Sequence, residues 1–462
     1  MEKYDLIIIG AGPGGYEAAI DAAKTYKMKV ALIENRQLGG TCLNRGCIPT
    51  KTLLHTAALY HEIKAHGEEL GLTGTDGDGF DLEKIQERKN AVLDQLRGGI
   101  AMLMKTNKVT VYNGTGTVLD KGRVRVELTD GGTEELEGTN IMIATGSVPS
   151  LPPIPGADQE GVVTSDQMLE WNRPLNSLLI VGGGVIGCEF ASVFSSLGVK
   201  VTIVEALDRI IANMDKEIGQ NLKMLMKRVK GIDVHTKSTV TEIRKSEDGM
   251  VCCFTEKDKP MEVTADLILI SIGRRAYTEG LFSEESSKEI RTMKMEKGRI
   301  LVDSHFRTSV PGIYAIGDVI GGIQLAHVAT AEGRSAVAAM NGAEPPVDMN
   351  TIPSCIYTNP EIASVGISAE HAKAQGIEIV SQKYPMGGNG KSILSLQKRG
   401  FIKVIADAGT HKILGAQMMC ARATDMISQF SQAIVSGLTL EDMAKTIYPH
   451  PTFSEGIGEA LK

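Results

Sequence analysis

A chain of 462 residues, 42% hydrophobic and 23% charged, is long enough for several units that each bury a core. A formal charge of −7 argues against nucleic acid as the main partner, and seven cysteines without regular spacing exclude a secreted disulfide scaffold. No apolar run reaches the roughly 18 residues of a membrane span, and the chain enters a strand pattern by Leu6, leaving no room for a signal peptide, so the expected location is the cytoplasm.

The first element is a continuous apolar run, Asp5-Leu6-Ile7-Ile8-Ile9, suited to a strand buried on both faces. Gly10-Ala11-Gly12-Pro13-Gly14-Gly15 follows, then a helical pattern through Ala18, Ala19, Ala22 and Ala23. Gly10, Gly12 and Gly15 fit G-x-G-x-x-G. The first makes the turn, the second lets the backbone approach a pyrophosphate, and the third packs helix on strand. The next strand, Lys29 to Ile33, ends in Glu34, roughly 20 residues past the last glycine, where a carboxylate can accept from a ribose hydroxyl.

Cys42 and Cys47 lie between the Gly39-Gly40 pair and a helical pattern through Leu53, Leu54, Ala57, Ala58, Tyr60 and Ile63. Cys47 is thereby placed near a helix N-terminus, which favours a thiolate. Along a regular helix a five-residue step rises about 7.5 Å, beyond the roughly 4.4–6.8 Å between Cα atoms that a disulfide tolerates. A bridge therefore needs an irregular turn, which Gly46 permits. On spacing alone a redox pair and two inert buried thiols fit equally.

Residues 50–105 read as helical, broken by a glycine-rich Gly71–Gly79 loop. From Val109 to Leu136 short strand-like runs alternate with turn signals at Asn113-Gly114 and Asp130-Gly131-Gly132. Asn140 to Ser147 reads as another buried strand, and Pro149, Pro152, Pro153 and Pro155 mark a stiff boundary.

The opening pattern then recurs. Leu178 to Val181 leads into Gly182, Gly184 and Gly187, and the strand Lys200 to Val204 ends in Glu205. A carboxylate there repels a 2′-phosphate, so the second dinucleotide should be NAD(H) and not NADP(H). Arg209 nearby reads as a solvated surface residue. Cys252-Cys253 falls in a strand-like run, Met250–Phe254, that turns neighbouring side chains to opposite faces and so disfavours a second redox or metal pair. Ala265 to Arg274 and Ile313 to Asp318 read as further strands, 325–340 as a small-residue helix, and the last portion as strands at Ala363–Val365 and Phe401–Ile405 with helices around 422–436 and 440–446.

Two dinucleotide folds and a cysteine pair directly after the first imply electrons passing between two nucleotide cofactors and a disulfide. On Gly39-Gly40-Thr41-Cys42-Leu43-Asn44-Arg45-Gly46-Cys47-Ile48-Pro49-Thr50-Lys51, on Ala144-Thr145-Gly146, on Gly317-Asp318 and on Tyr448-Pro449-His450-Pro451-Thr452-Phe453-Ser454-Glu455, the chain resembles the flavin-dependent pyridine nucleotide–disulfide oxidoreductases. Within them it is most similar to the branch that oxidises protein-bound dihydrolipoyl groups.

The resemblance implies an α/β chain with two Rossmann-like domains and a C-terminal α+β dimerisation domain. Its divisions are 1–148 for FAD and the cysteine pair, 149–273 for NAD, 274–345 completing the FAD site, and 346–462 for dimerisation. It places FAD on Gly10, Gly12, Gly15, Glu34, Lys51, Gly114, Thr145, Gly146, Asp318 and Ala326. NAD falls to Gly182, Gly184, Gly187, Glu205 and Gly273, with Glu189 paired to Lys51 beside the reacting rings. Cys42 is expected to face the substrate, Cys47 the flavin, and His450 to act as base oriented by Glu455, reaching the cysteines of the other subunit of a homodimer. The implied partner is a lipoyl-bearing protein of a 2-oxo acid dehydrogenase complex or the glycine cleavage system. Alternatives are reduction of another small disulfide, or a non-catalytic flavoprotein docking subunit, against which the intact Cys42, Cys47, His450 and Glu455 set argues. Lys391 stands where arginine is typical, Arg274-Arg275-Ala276-Tyr277 departs from Arg-x-Pro-Asn, and Met418-Met419-Cys420-Ala421-Arg422 is atypical. These bear on the disulfide substrate and the partner surface, not on the flavin chemistry.

Overall fold

The run Leu6–Ile9 lies at the centre of a five-stranded parallel sheet whose order is 110–113, Val30–Glu34, 6–9, 140–143 and Ile313–Ala315. Both faces are covered, which is why the strand carries no polar alternation. Leu6, Ile8, Leu32 and Met142 enter a core shared with the helices Pro13–Lys24, Leu82–Thr106 and Ala326–Met340. Ile7, Ile9, Ile33, Ile141 and Ile143 enter the opposite core, lined by Val118, Val124, Val126 and Leu136 of an antiparallel ribbon. Each such fully buried aliphatic contributes about 1.5–3 kcal/mol. The first and last of these helices approach at glycines: a Cβ on Gly14 would lie 2.9 Å from the Ala329 carbonyl oxygen, and one on Gly333 would lie 2.7 Å from that of Gly14.

The computed structural model describes residues 2–74 and 79–462, so residues 75–78 of the expected glycine-rich loop lie outside the described residues. The chain forms two compact units. One comprises Met1–Thr52, Glu83–Ser150 and Gly273–Met349, the other Leu53–Leu82, Leu151–Ile272 and Asn350–Lys462.

The structure corrects several readings of the sequence, among them the strand expected over 313–318, which ends at Ala315 before Gly317, at φ +73°, opens a 3-10 turn. Asn113-Gly114 is not a turn: the strand Thr110–Asp120 runs through it, pairing parallel with 31–34 up to Asn113 and antiparallel with Arg123–Leu128 from Gly114. A Cβ on Gly114 would sit 2.3 Å from the Glu127 carbonyl oxygen, so the glycine serves a close strand crossing, and the chain reverses instead at Gly122, whose φ is +75°. The strand expected to reach Ser147 stops at Ile143, because Gly146 turns at φ +73° and Ser147–Pro149 pairs separately with Arg274–Ala276. Likewise only Leu267–Ile270 of 265–274 is a parallel strand, Ala265 closing an antiparallel strand before it and Gly273 turning at φ +116° after it.

The second unit repeats the parallel order with Asp233–Thr236, Lys200–Glu205, Ser177–Val181, Leu267–Ile270 and Val162–Thr164. Cys252 and Cys253 occupy an antiparallel strand, Gly249–Glu256, the first buried and the second partly exposed beside Glu262, on opposite faces as expected. The C-terminal portion is a five-stranded antiparallel sheet ordered Ser354–Ile356, Ile362–Gly366, Ile413–Met419, Phe401–Asp407 and Ile379–Pro385. Helix Ala423–Val435 covers it through Met426, Ile427, Phe430 and Ala433.

In the strand Phe401–Asp407, Ile402, Val404 and Ala406 enter the C-terminal core, and Lys403 turns the other way. Its ammonium lies 3.1 Å from Asp215 Oδ2 and 3.1 Å from Glu217 Oε2, at the N-terminus of helix Lys216–Lys230, where Asp215 also accepts the Glu217 N–H. Lys403→Ala leaves the buried Asp215 carboxylate without a cation, an expected loss of about 3–5 kcal/mol. Urea unfolding checks this, and a change below about 1 kcal/mol would place the pair among exposed ones.

Candidate active site

Each of the two units carries a glycine turn, and the two turns make the same kinds of contact. At the first, Gly10 turns with φ +105° under the Ala144 carbonyl, and a Cβ on Gly15 would lie 1.9 Å from the Gly10 carbonyl oxygen. Gly12, the N-cap of helix Pro13–Lys24, has no side-chain cap and nothing nearer its missing Cβ than Gly40 Cα at 4.0 Å. At the second, Gly182 turns with φ +108°, a Cβ on Gly187 would lie 2.1 Å from the Gly182 carbonyl oxygen, and Gly184 caps helix Val185–Ser196 with open space where its Cβ would be.

The two strand-end glutamates repeat the same contacts. Glu34 accepts the Ala11 N–H at 2.8 Å and the Arg36 N–H at 2.9 Å; Glu205 accepts the Gly183 N–H at 2.6 Å and the Leu207 N–H at 2.7 Å. Uncapped first-turn amides beside a glycine surface, with a buried carboxylate at the next strand end, fit one dinucleotide per turn. Arg209 departs from its expected solvated state. Its guanidinium lies 3.4 Å from Glu370 Oε2 and 3.4 Å from the Ala212 carbonyl, and its side chain is mostly buried, because helix Ala369–Ala374 supplies a carboxylate.

The cysteine segment rests on the first turn. Gly39 and Gly40 take φ +94° and +56°, and a Cβ on Gly40 would lie 2.5 Å from Gly12 Cα. Cys42 lies in the short helix Gly40–Arg45, and Cys47 is the first residue of helix Cys47–His66. Gly46 breaks the two apart, and a Cβ there would press on the Thr41 carbonyl oxygen at 3.0 Å. This is the interruption that the five-residue spacing demands. The two thiols are in hydrogen-bond contact, and the Cys42 thiol is held far above its ordinary range, first by the Cys47 side chain and then by burial, with Lys51 acting in the opposite sense.

The far wall of the first nucleotide fold assembles from four segments. Thr145 Oγ1 donates to the Tyr277 carbonyl at 2.6 Å, and the Tyr277 N–H donates to the Gly146 carbonyl at 2.9 Å. Asp318 accepts from Ser147 Oγ, which in turn accepts from Arg274 Nε at 2.8 Å. Asp318 lies in a 3-10 turn, Gly317–Ile320, just past the strand, and Ala326 opens the helix that follows. Glu332 on that helix, buried and pushed up to about 7 chiefly by desolvation, accepts the Gly317 N–H at 2.6 Å. Sequence alone does not mark Ser147, Arg274 or Glu332 as site residues; for Glu332, a lone acid on the buried face of an alanine-rich helix is the available signal. Gly114 follows Asn113, the register partner of Glu34.

Glu189, 2% exposed, accepts the Tyr357 N–H at 3.1 Å, and Gly273 has open space where its Cβ would be. Near the C-terminus, His450 Nδ1 lies 2.9 Å from Glu455 Oε1, and Glu455 Oε2 accepts the Thr452 N–H at 2.9 Å. That N–H, and then His450, hold the Glu455 carboxyl below its usual range. Asn389 supports the loop by donating to the Thr452 carbonyl at 3.0 Å while its Oδ1 caps Ser392 N at 2.9 Å. The His450 side chain is 78% exposed in the single chain. Among the described residues no three His, Cys, Asp or Glu side chains could hold a metal together, and no helix is long and apolar enough to cross a membrane.

Comparison with known proteins agrees with this geometry. Residues 4–333 match the pyridine nucleotide-disulphide oxidoreductases, and residues 352–461 match the dimerisation domain of the same group. The chain is 41% identical to dihydrolipoyl dehydrogenase of Bacillus subtilis, over 99% of this chain and 97% of the relative, and 38% identical to the mitochondrial enzyme of Homo sapiens, over 99% and 89%. Among solved structures it superposes on LpdA from Mycobacterium tuberculosis with a TM-score of 0.90 at 26% identity, covering 100% and 99% of the two chains. It superposes on the HOCl-induced flavoprotein disulfide reductase RclA from Escherichia coli with a TM-score of 0.86 at 29% identity, covering 99% of each. The chain belongs to the pyridine nucleotide-disulphide oxidoreductase family.

Proposed function

We propose that this protein oxidises protein-bound dihydrolipoyl groups to the lipoyl disulfide and delivers the electrons through Cys42–Cys47 and FAD to NAD⁺. The contact between two thiols at the Gly46 break, directly over the first glycine turn, carries the reading. FAD is held by Gly10, Gly12, Gly15, Glu34, Lys51, Gly114, Thr145, Gly146, Asp318 and Ala326, and NAD by Gly182, Gly184, Gly187, Glu205 and Gly273, with Glu189 partnering Lys51. When bound, FAD supplies a two-electron relay between dithiol and nicotinamide. In this reading 1–148 with 274–345 serves FAD, 149–273 serves NAD, and 346–462 pairs the subunits.

The chain's own groups do the thiol chemistry. His450 of the partner subunit, its Nδ1–H held by a carboxylate, takes the proton of one dihydrolipoyl thiol at Nε2. The new thiolate attacks Cys42 Sγ, and Cys47 Sγ leaves as a thiolate at its helix N-terminus. The second substrate thiol then displaces Cys42, so two substrate S–H bonds are lost, one substrate S–S bond forms and the enzyme pair is reduced. The pair returns to the disulfide as NAD⁺ takes two electrons as hydride and one proton goes to solvent. The substrate partner is a lipoyl-bearing protein of a 2-oxo acid dehydrogenase complex or the glycine cleavage system, met in the cytoplasm.

Comparing NADH-linked reduction of lipoamide and of glutathione disulfide tests the reading. Lipoamide is expected to react at least about tenfold faster. A faster rate on glutathione disulfide would move the protein to another branch of the family.

A further inference from the structure

Cys42 rides on a helix of six residues, Gly40–Arg45. A helix that short has no stability of its own, so what fixes Cys42 must come from outside it. The Gly39-Gly40 turn seats one end on Gly12. The other end is held by the long helix Leu82–Thr106. Leu93, Ile100 and Met104 of that helix share a core with Leu43, and Arg97 lies on the same helical face between them.

Arg97 Nη1 donates to Asn44 Oδ1 at 3.0 Å, and its other arm is fixed on Asp94 of its own helix. Asn44 is 5% exposed and sits two residues after Cys42 and three before Cys47. Its Nδ2 donates back to the Leu38 carbonyl at 3.0 Å and the Gly40 carbonyl at 2.9 Å, so the side chain locks the short helix onto the turn that leads into it. Its amide oxygen is given to Arg97. Removing the guanidinium leaves a buried acceptor unsatisfied at the centre of the segment, and it is the planar fork of arginine that lets one side chain hold Asp94 and Asn44 together.

We propose that Arg97 is a positioning residue for the Cys42–Cys47 pair, acting through Asn44. The proposal rests on the reading of these cysteines as a redox pair. A disulfide forms only within a narrow range of Cα separation, so a clamp that holds Cys42 against Cys47 raises the effective concentration of one thiol at the other and favours the bonded form. Loosening the clamp shifts the pair toward the dithiol.

The test equilibrates FAD-loaded wild type, Arg97→Ala, Arg97→Lys and Asp94→Asn in buffers of reduced and oxidised dithiothreitol. Reduction of the protein disulfide is balanced there by oxidation of the small dithiol, and the fraction of Cys42 and Cys47 alkylated is read by mass. For Arg97→Ala the equilibrium constant for the protein disulfide is expected to fall roughly three- to tenfold, tenfold being about 30 mV. Arg97→Lys, which keeps the charge and one hydrogen bond, recovers part of it, and kcat on lipoamide falls while KM holds. A purely structural arginine lowers the melting temperature and leaves the constant within twofold of wild type, and that result overturns the proposal. If Arg97→Ala loses FAD, Asp94→Asn decides: a shift in the same direction supports the clamp, and a constant within twofold of wild type overturns it. Cys42→Ser separates the two readings. Retained turnover in that variant refutes the redox pair itself, whereas loss of turnover beside an unmoved constant in the Arg97 variants refutes only the clamp.

Discussion

Cys42→Ser and Cys47→Ser each lower lipoamide turnover by at least about a thousandfold, some 4 kcal/mol of transition-state stabilisation, and each keeps its FAD. A serine hydroxyl can neither form the enzyme disulfide nor leave as a stable anion, so either substitution ends the exchange. Cofactor retention follows from the architecture. The glycine turns, Glu34 and the Asp318–Ser147–Arg274 chain make their contacts without either sulfur. The two variants nonetheless differ. Cys47 begins a twenty-residue helix, where a thiolate is favoured, whereas Cys42 lies within the short helix Gly40–Arg45, where burial, which persists when Cys47 is replaced, pushes its thiol up. Cys42→Ser therefore keeps a long-wavelength thiolate-to-flavin absorption that Cys47→Ser lacks. Absorption spectra and steady-state assays on the purified variants check this. Turnover retained in either variant, or identical spectra in both, would sink the division of labour between the two sulfurs.

What could be read from sequence divides by the range of the physics involved. The glycine turns were legible because every constraint on them is local. Gly15 must be glycine because it meets a carbonyl five residues back, and Glu34 answers amides of the turn it follows in the next strand. The Gly46 break was legible because the geometry of a disulfide and of a helix conflict at a five-residue spacing. Asn113-Gly114 misled because a glycine that permits φ above zero and a glycine that lets two strands cross look alike in sequence; only the Glu127 carbonyl beside it tells them apart. The supports of the site were least legible. Ser147 meets Asp318 from 171 positions away, Arg274 meets Ser147 from 127, and Arg97 meets Asn44 from 53. No periodicity or turn chemistry links such residues, since only the completed sheet and its covering helices bring them together. Arg274 shows the limit from the other side: the segment was noted for departing from a pattern, yet its guanidinium holds the residue that donates to Asp318.

The second large effect concerns His450. Its Nδ1 faces a carboxylate that stays ionised well into mild acid, because the Thr452 N–H and His450 itself hold Glu455 below the usual range. A carboxylate with a depressed value keeps its hold on the loop at neutral pH and loses it only as the pH falls through that depressed value, so its protonation does not limit activity near neutrality. In the proposed mechanism the imidazole carries its proton at Nδ1, toward that carboxylate, and Nε2 serves as the base. His450→Gln is expected to lower the oxidation of dihydrolipoamide by about 10²–10⁴-fold, with FAD content unchanged. Glu455→Gln, which can still accept one hydrogen bond but carries no charge, is expected to lose less. Where His450 acts can be tested by mixing. A dimer of one Cys42→Ser subunit and one His450→Gln subunit holds one site with both groups intact only if the base comes from the partner subunit. Refolding the two inactive variants together is therefore expected to recover activity, to about a quarter of the wild-type value under random pairing, because half the dimers are mixed and each has one working site. No recovery would mean that His450 serves the cysteines of its own chain, or that it is not the base at all. The single variant separates these outcomes, since a histidine that is not the base leaves His450→Gln active.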